Sequence, residues 1–278
     1  MEFQARATVA TETHTLDAEF PVLYTSVVRT PVAPMHGEPR IGSQMISQQV
    51  GGRAVEIIDE EGDWVRARGE DEYEGWMHVG FLERTDVASG HQAIGDARIS
   101  LGCVAHSGTG SRRALPFRAI LRSDEQVLSG EVVDAAHLAS RFPLERGAIT
   151  RTALEYFQAT SYLWGGVTPW GADCSGLAQS VFSLHGMQLP RDAWQQAERG
   201  ADAGGDIGEL QPADLLFFSD RSDRRITHVG ISLGKSRMVH LALGRGGYAI
   251  ETLSDRSDPY VAKLRERFIC ARTMLRAQ

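Results

Sequence analysis

The rhythm of the chain changes once, near Arg146, and that change limits the folds open to it. Before it, short alternating stretches are cut by turn residues. The clearest run is RAVEIIDEEGDWVRARGEDEYEGWMHVGFLE (53–83). Strand candidates fall at Ala54–Asp59, Asp63–Arg68 and Tyr73–His78, and in DWVRARG the pair Trp64/Arg66 alternates with Val65/Ala67. Strands this short and close together suit a small β-barrel with one buried face. After a pause around Ser89–Gly90 the pattern resumes at ARISLGCVAH (97–106), with a turn-rich loop at Ser107–Ser111. A second, weaker barrel is expected there. After Arg146, Ile149, Ala153, Leu154 and Phe157 share one helical face. Leu177, Val181 and Leu184 share another, ahead of a C-capping Gly186. LLFF, HVGISLG, MVHLA, YAIETL and FICARTM then read as strands. Helices followed by antiparallel strands make an α+β unit. The expected domains are 1–88 (an N-terminal segment and the first barrel), 89–143 (the second barrel) and 144–278 (the α+β unit).

Charge and cysteine usage narrow the function. The 278 residues carry a formal charge of −7, which speaks against nucleic acid or a polybasic membrane contact. No apolar run reaches the ~18–20 residues of a spanning helix. The opening MEFQARATVATETHTLDAEF lacks a basic segment followed by an apolar one, so it is not a signal peptide. If Met1 is the natural start, a cytoplasmic protein is expected; otherwise the protein is exported to the envelope. Cys103, Cys174 and Cys270 are odd in number and far apart, which is not a disulfide framework.

Cys174 opens a predicted helix behind Asp173, after the glycines 165, 166 and 171. Such a position feels the positive helix end, which favours a thiolate. The glycine loop offers backbone N–H groups to an oxyanion. A nucleophilic cysteine needs a histidine base and a group to orient it. His228 and His240 each lie six residues from Gly234. A hairpin folded about Gly234 would set them opposite each other on one face, with Cβ atoms ~4.5–5.5 Å apart. A one-residue slip would part them. A packed core cysteine and a zinc site of Cys174, His228 and His240 are the competing readings. The zinc set lacks a close Cys or His pair and a fourth ligand. Cys103 and Cys270 sit in apolar strand-like runs and read as inert.

The blocks YLWGGVTPWGADCSGL (162–177), LPRD (189–192), PADLLFF (212–218), HVGI (228–231) and VH (239–240) resemble the NlpC-type cell-wall peptidases, a papain-like group of cysteine hydrolases. The resemblance covers about the last 130 residues. The β-rich half is similar to the SH3-like domains of members that act as γ-D-glutamyl-L-diamino acid endopeptidases. It implies a papain-like peptidase domain, helices packed on an antiparallel sheet, behind two small all-β SH3-like barrels. It also implies Cys174 as nucleophile, His228 as general base and acid, and His240 as orienter of His228. Tyr162 would polarise the scissile carbonyl. Asp173 and Ser175 would line the pocket. Arg191 and Asp192 would form a pocket pair, Asp192 holding a substrate ammonium. Tyr73 either reaches the cleft or packs in its own barrel. Trp76 is expected in the core, and Trp164, Trp170 and Trp194 as cleft walls or packing.

The implied reaction is hydrolysis of the γ-D-glutamyl–diamino acid bond (diaminopimelate or lysine) of murein peptides with a free N-terminal L-alanine, through a thioester. No metal or organic cofactor is implied. A thiol amidase or acyltransferase, or a non-catalytic wall-binding protein, are the alternatives. Ala193 replaces a serine common in the family and Ala172 a bulky apolar residue, so fine specificity is expected to differ.

Overall fold

The computed structural model describes residues 21–85, 97–107 and 110–275. The opening twenty residues, the Ser89–Gly90 pause, the 88/89 boundary and the tip of the 107–111 loop lie outside them.

The first region is a seven-stranded antiparallel sheet. Its strands are β1 (Tyr24–Val28), β2 (Val32–His36), β3 (Met45–Val50), β4 (Ala54–Glu61), β5 (Trp64–Arg68), β6 (Glu74–His78) and β7 (Leu82–Arg84). They lie in the order β3-β2-β6-β5-β4-β1-β7. Val65, Ala67 and Met77 point inward onto Val28, Met35 and Ile57, as a period of two requires. The same alternation corrects the expectation for Trp76. Its neighbours Gly75 and Met77 take the buried face, and Trp76 stays half-buried outside.

The second region is a three-stranded antiparallel sheet of β8 (Arg98–His106), β9 (Arg112–Leu115) and β10 (Gln126–Asp134), with β8 in the middle.

The third region begins with α1 (Leu138–Arg141) and α2 (Arg146–Tyr156). A small hairpin of β11 (Val167–Thr168) and β12 (Gly171–Ala172) leads into α3 (Cys174–Leu184), followed by α4 (Ala193–Ala197). The main sheet is built from β13 (Ala201–Asp202), β14 (Leu215–Phe218), β15 (His228–Gly234), β16 (Arg237–Ala242) and β17 (Gly247–Thr252). After α5 (Pro259–Glu266), β18 (Phe268–Thr273) completes it. Its order is β13-β18-β14-β15-β16-β17. Leu177, Val181 and Leu184 of α3 bury against Val229, Ile231, Val239 and Leu241 on one face. Each such side chain stabilises by ~1.5–3 kcal/mol. Met238 faces the other way, onto Val261 and Leu264 of α5.

The β15–β16 hairpin turns at Lys235–Ser236, both at positive φ, as a tight two-residue hairpin requires. It does not turn about Gly234. Ile231 pairs with Val239 and Ser232 with Met238. His240 therefore lies beside Gly230, where an added Cβ would stand 3.5 Å from His240 Cβ. The expected register is off by two residues. A slip of two keeps the face, so His228 and His240 remain on one side.

The first region docks on the loop that precedes α3. Val167 N–H donates to Gln48 Oε1 at 3.2 Å and Gln179 Nε2 to Asp71 Oδ2 at 2.8 Å. Gly165 lies at φ +76, and a Cβ there would stand 2.9 Å from the Met45 carbonyl oxygen.

Candidate active site

Cys174 is the first residue of α3 because Asp173 caps the helix, accepting from Gly176 N–H at 2.7 Å. The other carboxylate oxygen takes Gly165 N–H at 2.8 Å. Arg191 donates to Oδ1 at 3.1 Å and Oδ2 at 2.7 Å. Ser175 Oγ donates to Asp173 and accepts from Arg191 at 2.8 Å. Asp173 and Ser175 thus lie in the floor of the cleft with their polar atoms already committed to one another. Besides lining the cleft as expected, they hold the nucleophile's helix to its loop. Arg191 is 1% exposed and reaches out of its own domain, donating from Nε to Ser47 Oγ at 3.1 Å.

His228 Nε2 is 2.8 Å from His240 Nδ1. This bond leaves the other ring nitrogen of His228 unused by His240, and His228 and Cys174 line the same cleft. The Cys174 sulfur lies against the backbone N–H of Val229, the residue after His228. With His240 Nδ1 spent on His228 and its Nε2 facing Glu251 at 3.5 Å, the pair is not arranged to bind zinc.

The electrostatics correct the expected thiolate. Burial pushes the Cys174 thiol up and the Asp173 charge adds to it, outweighing the Val229 N–H, Arg191 and the Ser175 N–H. Burial likewise pushes the His228 imidazole down, with His240 and Arg267 adding. Both shifts run against a resting thiolate and imidazolium. Burial and the nearby Cys174 and Asp173 charges raise the Tyr162 hydroxyl, which stays a donor. The glycine loop supplies no free oxyanion donors at Gly165 or Gly166, whose N–H groups go to Asp173 and the Leu163 carbonyl. The first turn of α3 retains those of Cys174 and Ser175, which have no partner within the helix.

The cleft around Cys174 has a volume of about 780 Å³. Ile46 and Tyr73 wall it from the first β region, Trp164 and Trp194 from the third. Trp170 lies outside it, 54% exposed. Tyr73 reaches the cleft and donates to Asp192 Oδ1 at 3.4 Å. Burial raises the Asp192 carboxyl against the pull of Arg191, Trp194 and Tyr73. Cys103 is buried in the core between the first two regions and the α3 loop, and Cys270 is half-buried on β18. Sequence reasoning missed Ser47 and Glu251. Glu251 had a readable signal: it follows His240 on the next strand of a hairpin.

Residues 159–265 match the family model described as NlpC/P60, and residues 35–81 match that of the bacterial dipeptidyl-peptidase SH3 domain. A γ-D-glutamyl-L-lysine dipeptidyl-peptidase of Bacillus subtilis is 36% identical over 117 residues, 42% of this chain and 36% of that protein. Dipeptidyl-peptidase 6 of Lysinibacillus sphaericus is 27% identical over 271 residues, 84% of this chain and 94% of that one. The chain thus spans about a third of the first relative and nearly all of the second. A crystal structure of an NlpC/P60 family protein from Bacillus cereus superposes with a TM-score of 0.73 at 17% identity, covering 91% of this chain and 100% of that chain. That likeness shows the same fold. With an SH3 domain docked on a helix-borne cysteine and a two-histidine hairpin, residues 159–265 are identified as an NlpC/P60 domain.

Proposed function

We propose that this chain is a cysteine peptidase that cuts the γ-D-glutamyl–diamino acid bond of short murein peptides bearing a free N-terminal L-alanine. One observation carries the reading. The cleft that holds Cys174 and His228 is closed by the first β region, where Tyr73 and Asp192 form an acidic end. The half-buried Asp192 carboxylate suits an ammonium, which would cover it on binding, and a covered charge left unpaired is costly. The three-stranded sheet of residues 97–134 reads as a reduced second SH3-like module.

In the proposed reaction the substrate ammonium sits on Asp192 and the γ-carbonyl lies over Cys174. His228 takes the thiol proton as sulfur bonds to the carbonyl carbon. The oxyanion is held by the first-turn N–H groups and Tyr162. The C–N bond then breaks, and His228 gives its proton to the departing amine. Water attacks the thioester, losing a proton to His228. The C–S bond breaks, the dipeptide leaves, and the proton returns to Cys174 sulfur. Positioned acid–base help of this kind is worth ~10²–10⁴-fold.

Mass spectrometry of products tests the reading. L-Ala-γ-D-Glu-diaminopimelate should yield L-Ala-γ-D-Glu and the free diamino acid, with intact murein untouched and the Cys174→Ala chain as blank. Release of L-alanine alone would make the enzyme an amidase of another bond. No product from any murein peptide would end the proposal.

The pH profile is a second check. Because His228 stays neutral well below the usual imidazole value of ~6.5, it does not shut activity off near that pH. The acid limb of kcat/KM should lie in the carboxylate range, where the raised Asp192 loses its charge. An acid limb at the ordinary imidazole value would contradict this electrostatic account.

A further inference from the structure

Beyond His240 the contacts continue to a carboxylate. Ala249 of β17 pairs with His240, so Glu251, two residues on, shares its face. Glu251 is 5% exposed and His240 is fully buried. Glu251 Oε1 is 3.5 Å from His240 Nε2, a buried nitrogen with no hydrogen-bond partner among the described residues. The carboxylate is fixed from its other side. Arg245 donates from Nε to Oε1 at 2.8 Å and from Nη2 to Oε2 at 3.1 Å. Arg245 also pairs with Asp258, the cap of α5, and lies over the Tyr260 ring at 4.3 Å. The groups around His240 are therefore His228 on β15, Glu251 on β17 and Tyr260 on α5, whose ring lies 6.3 Å away. Contacts of this kind are often long in a resting enzyme and tighten when substrate binds.

We propose that Glu251 is a positioning residue that sets the tautomers of both histidines, so that His228 presents a lone pair to Cys174. A fixed carboxylate facing Nε2 of His240 draws the ring proton there. His240 Nδ1 then holds a lone pair and accepts from His228 Nε2 across the 2.8 Å bond. The single proton of neutral His228 is thereby on Nε2, and Nδ1, the nitrogen His240 does not use, is free to take the thiol proton. Without an acceptor at Nε2, His240 can carry its proton on Nδ1 and donate to His228. That leaves His228 protonated on Nδ1, where it cannot act as a base toward Cys174. The same anion stabilises the imidazolium formed during acylation. This rests on the peptidase reading above, but the tautomers themselves do not depend on turnover.

Imidazole ¹⁵N–¹H spectra of the full chain, without substrate, test it together with steady-state kinetics on the tripeptide. The wild type should show both histidines protonated on Nε2. In Glu251→Gln, Arg245 can only donate, so the carbonyl turns to it and the amide NH₂ faces His240. The tautomers should reverse, and kcat should fall roughly 10–100-fold with KM within about twofold. Glu251→Asp should recover the Nε2 tautomers and part of the rate. Arg245→Gln loosens the 243–247 loop but keeps the carboxylate, and should retain the wild-type tautomers. Unchanged tautomers in Glu251→Gln would overturn the proposal, as would a loss confined to KM or an Arg245→Gln chain that reproduces both effects. If the wild type leaves the tripeptide intact, the peptidase reading fails while the spectra still decide the tautomers.

Discussion

Arg191→Met destabilises the chain by about 3–5 kcal/mol, the usual result of removing one partner of a buried ion pair. Urea unfolding should show it as a lower midpoint at unchanged slope. Arg191 is 1% exposed and holds both oxygens of Asp173, the hydroxyl of Ser175 and that of Ser47. Methionine fills much of the volume but leaves the Asp173 carboxylate without its cation. Gly165, Gly176 and Ser175 still donate to it, which keeps the loss near this range. Ser47→Ala removes one acceptor from Arg191 and should cost about 1–3 kcal/mol. A loss under about 1 kcal/mol for Arg191→Met would mean that this node does not hold the barrel to the nucleophile's helix.

Asp192→Asn lowers kcat/KM on the free-amino tripeptide by roughly 10²-fold, in line with the ~2–5 kcal/mol lost when one partner of a buried charge pair is truncated. The amide keeps the shape and a hydrogen bond to Tyr73 but carries no charge for the ammonium. The decisive comparison is N-acetyl-L-Ala-γ-D-Glu-diaminopimelate, which has no ammonium. The wild type should cut it poorly, and Asp192→Asn should make it little worse. The variant should also lose the acid limb set by Asp192, because no carboxyl remains there to titrate. Equal losses on both peptides would show that Asp192 shapes the cleft without reading the amino group.

The sequence displayed the chemistry better than the packing. Cys174 at a helix start and two histidines on one face of a hairpin are local patterns, and local patterns survive in a linear reading. The hairpin register was misjudged because Gly234 looked like the turn, whereas Lys235 and Ser236 take the positive φ values and Gly234 sits in a bulge. The face still came out right, since an even slip preserves it. The sequence pointed to a thiolate because a helix terminus is visible in it and the burial that opposes a thiolate is not. At Cys174, burial and the Asp173 charge raise the thiol against the Val229 N–H, Arg191 and the Ser175 N–H. Asp173 and Ser175 line the cleft as expected, but nothing nearby in the chain announces the buried Arg191 between them. Ser47 lies 144 residues from Arg191, a contact that only domain docking creates. Trp76 was expected in the core, but strand alternation gave that face to Met77.

The contact between Gly165 and the Met45 carbonyl has a consequence for how such a site can change. Main chain meets main chain there, with no side chain between them to shorten. Substitution can only push the two modules apart, because any Cβ at 165 would press on Met45. The spacing of the two modules at this contact is therefore not a quantity that substitution at 165 can narrow. Bringing the two modules closer there would take insertion or deletion in one of the two loops, moving the barrel as a body.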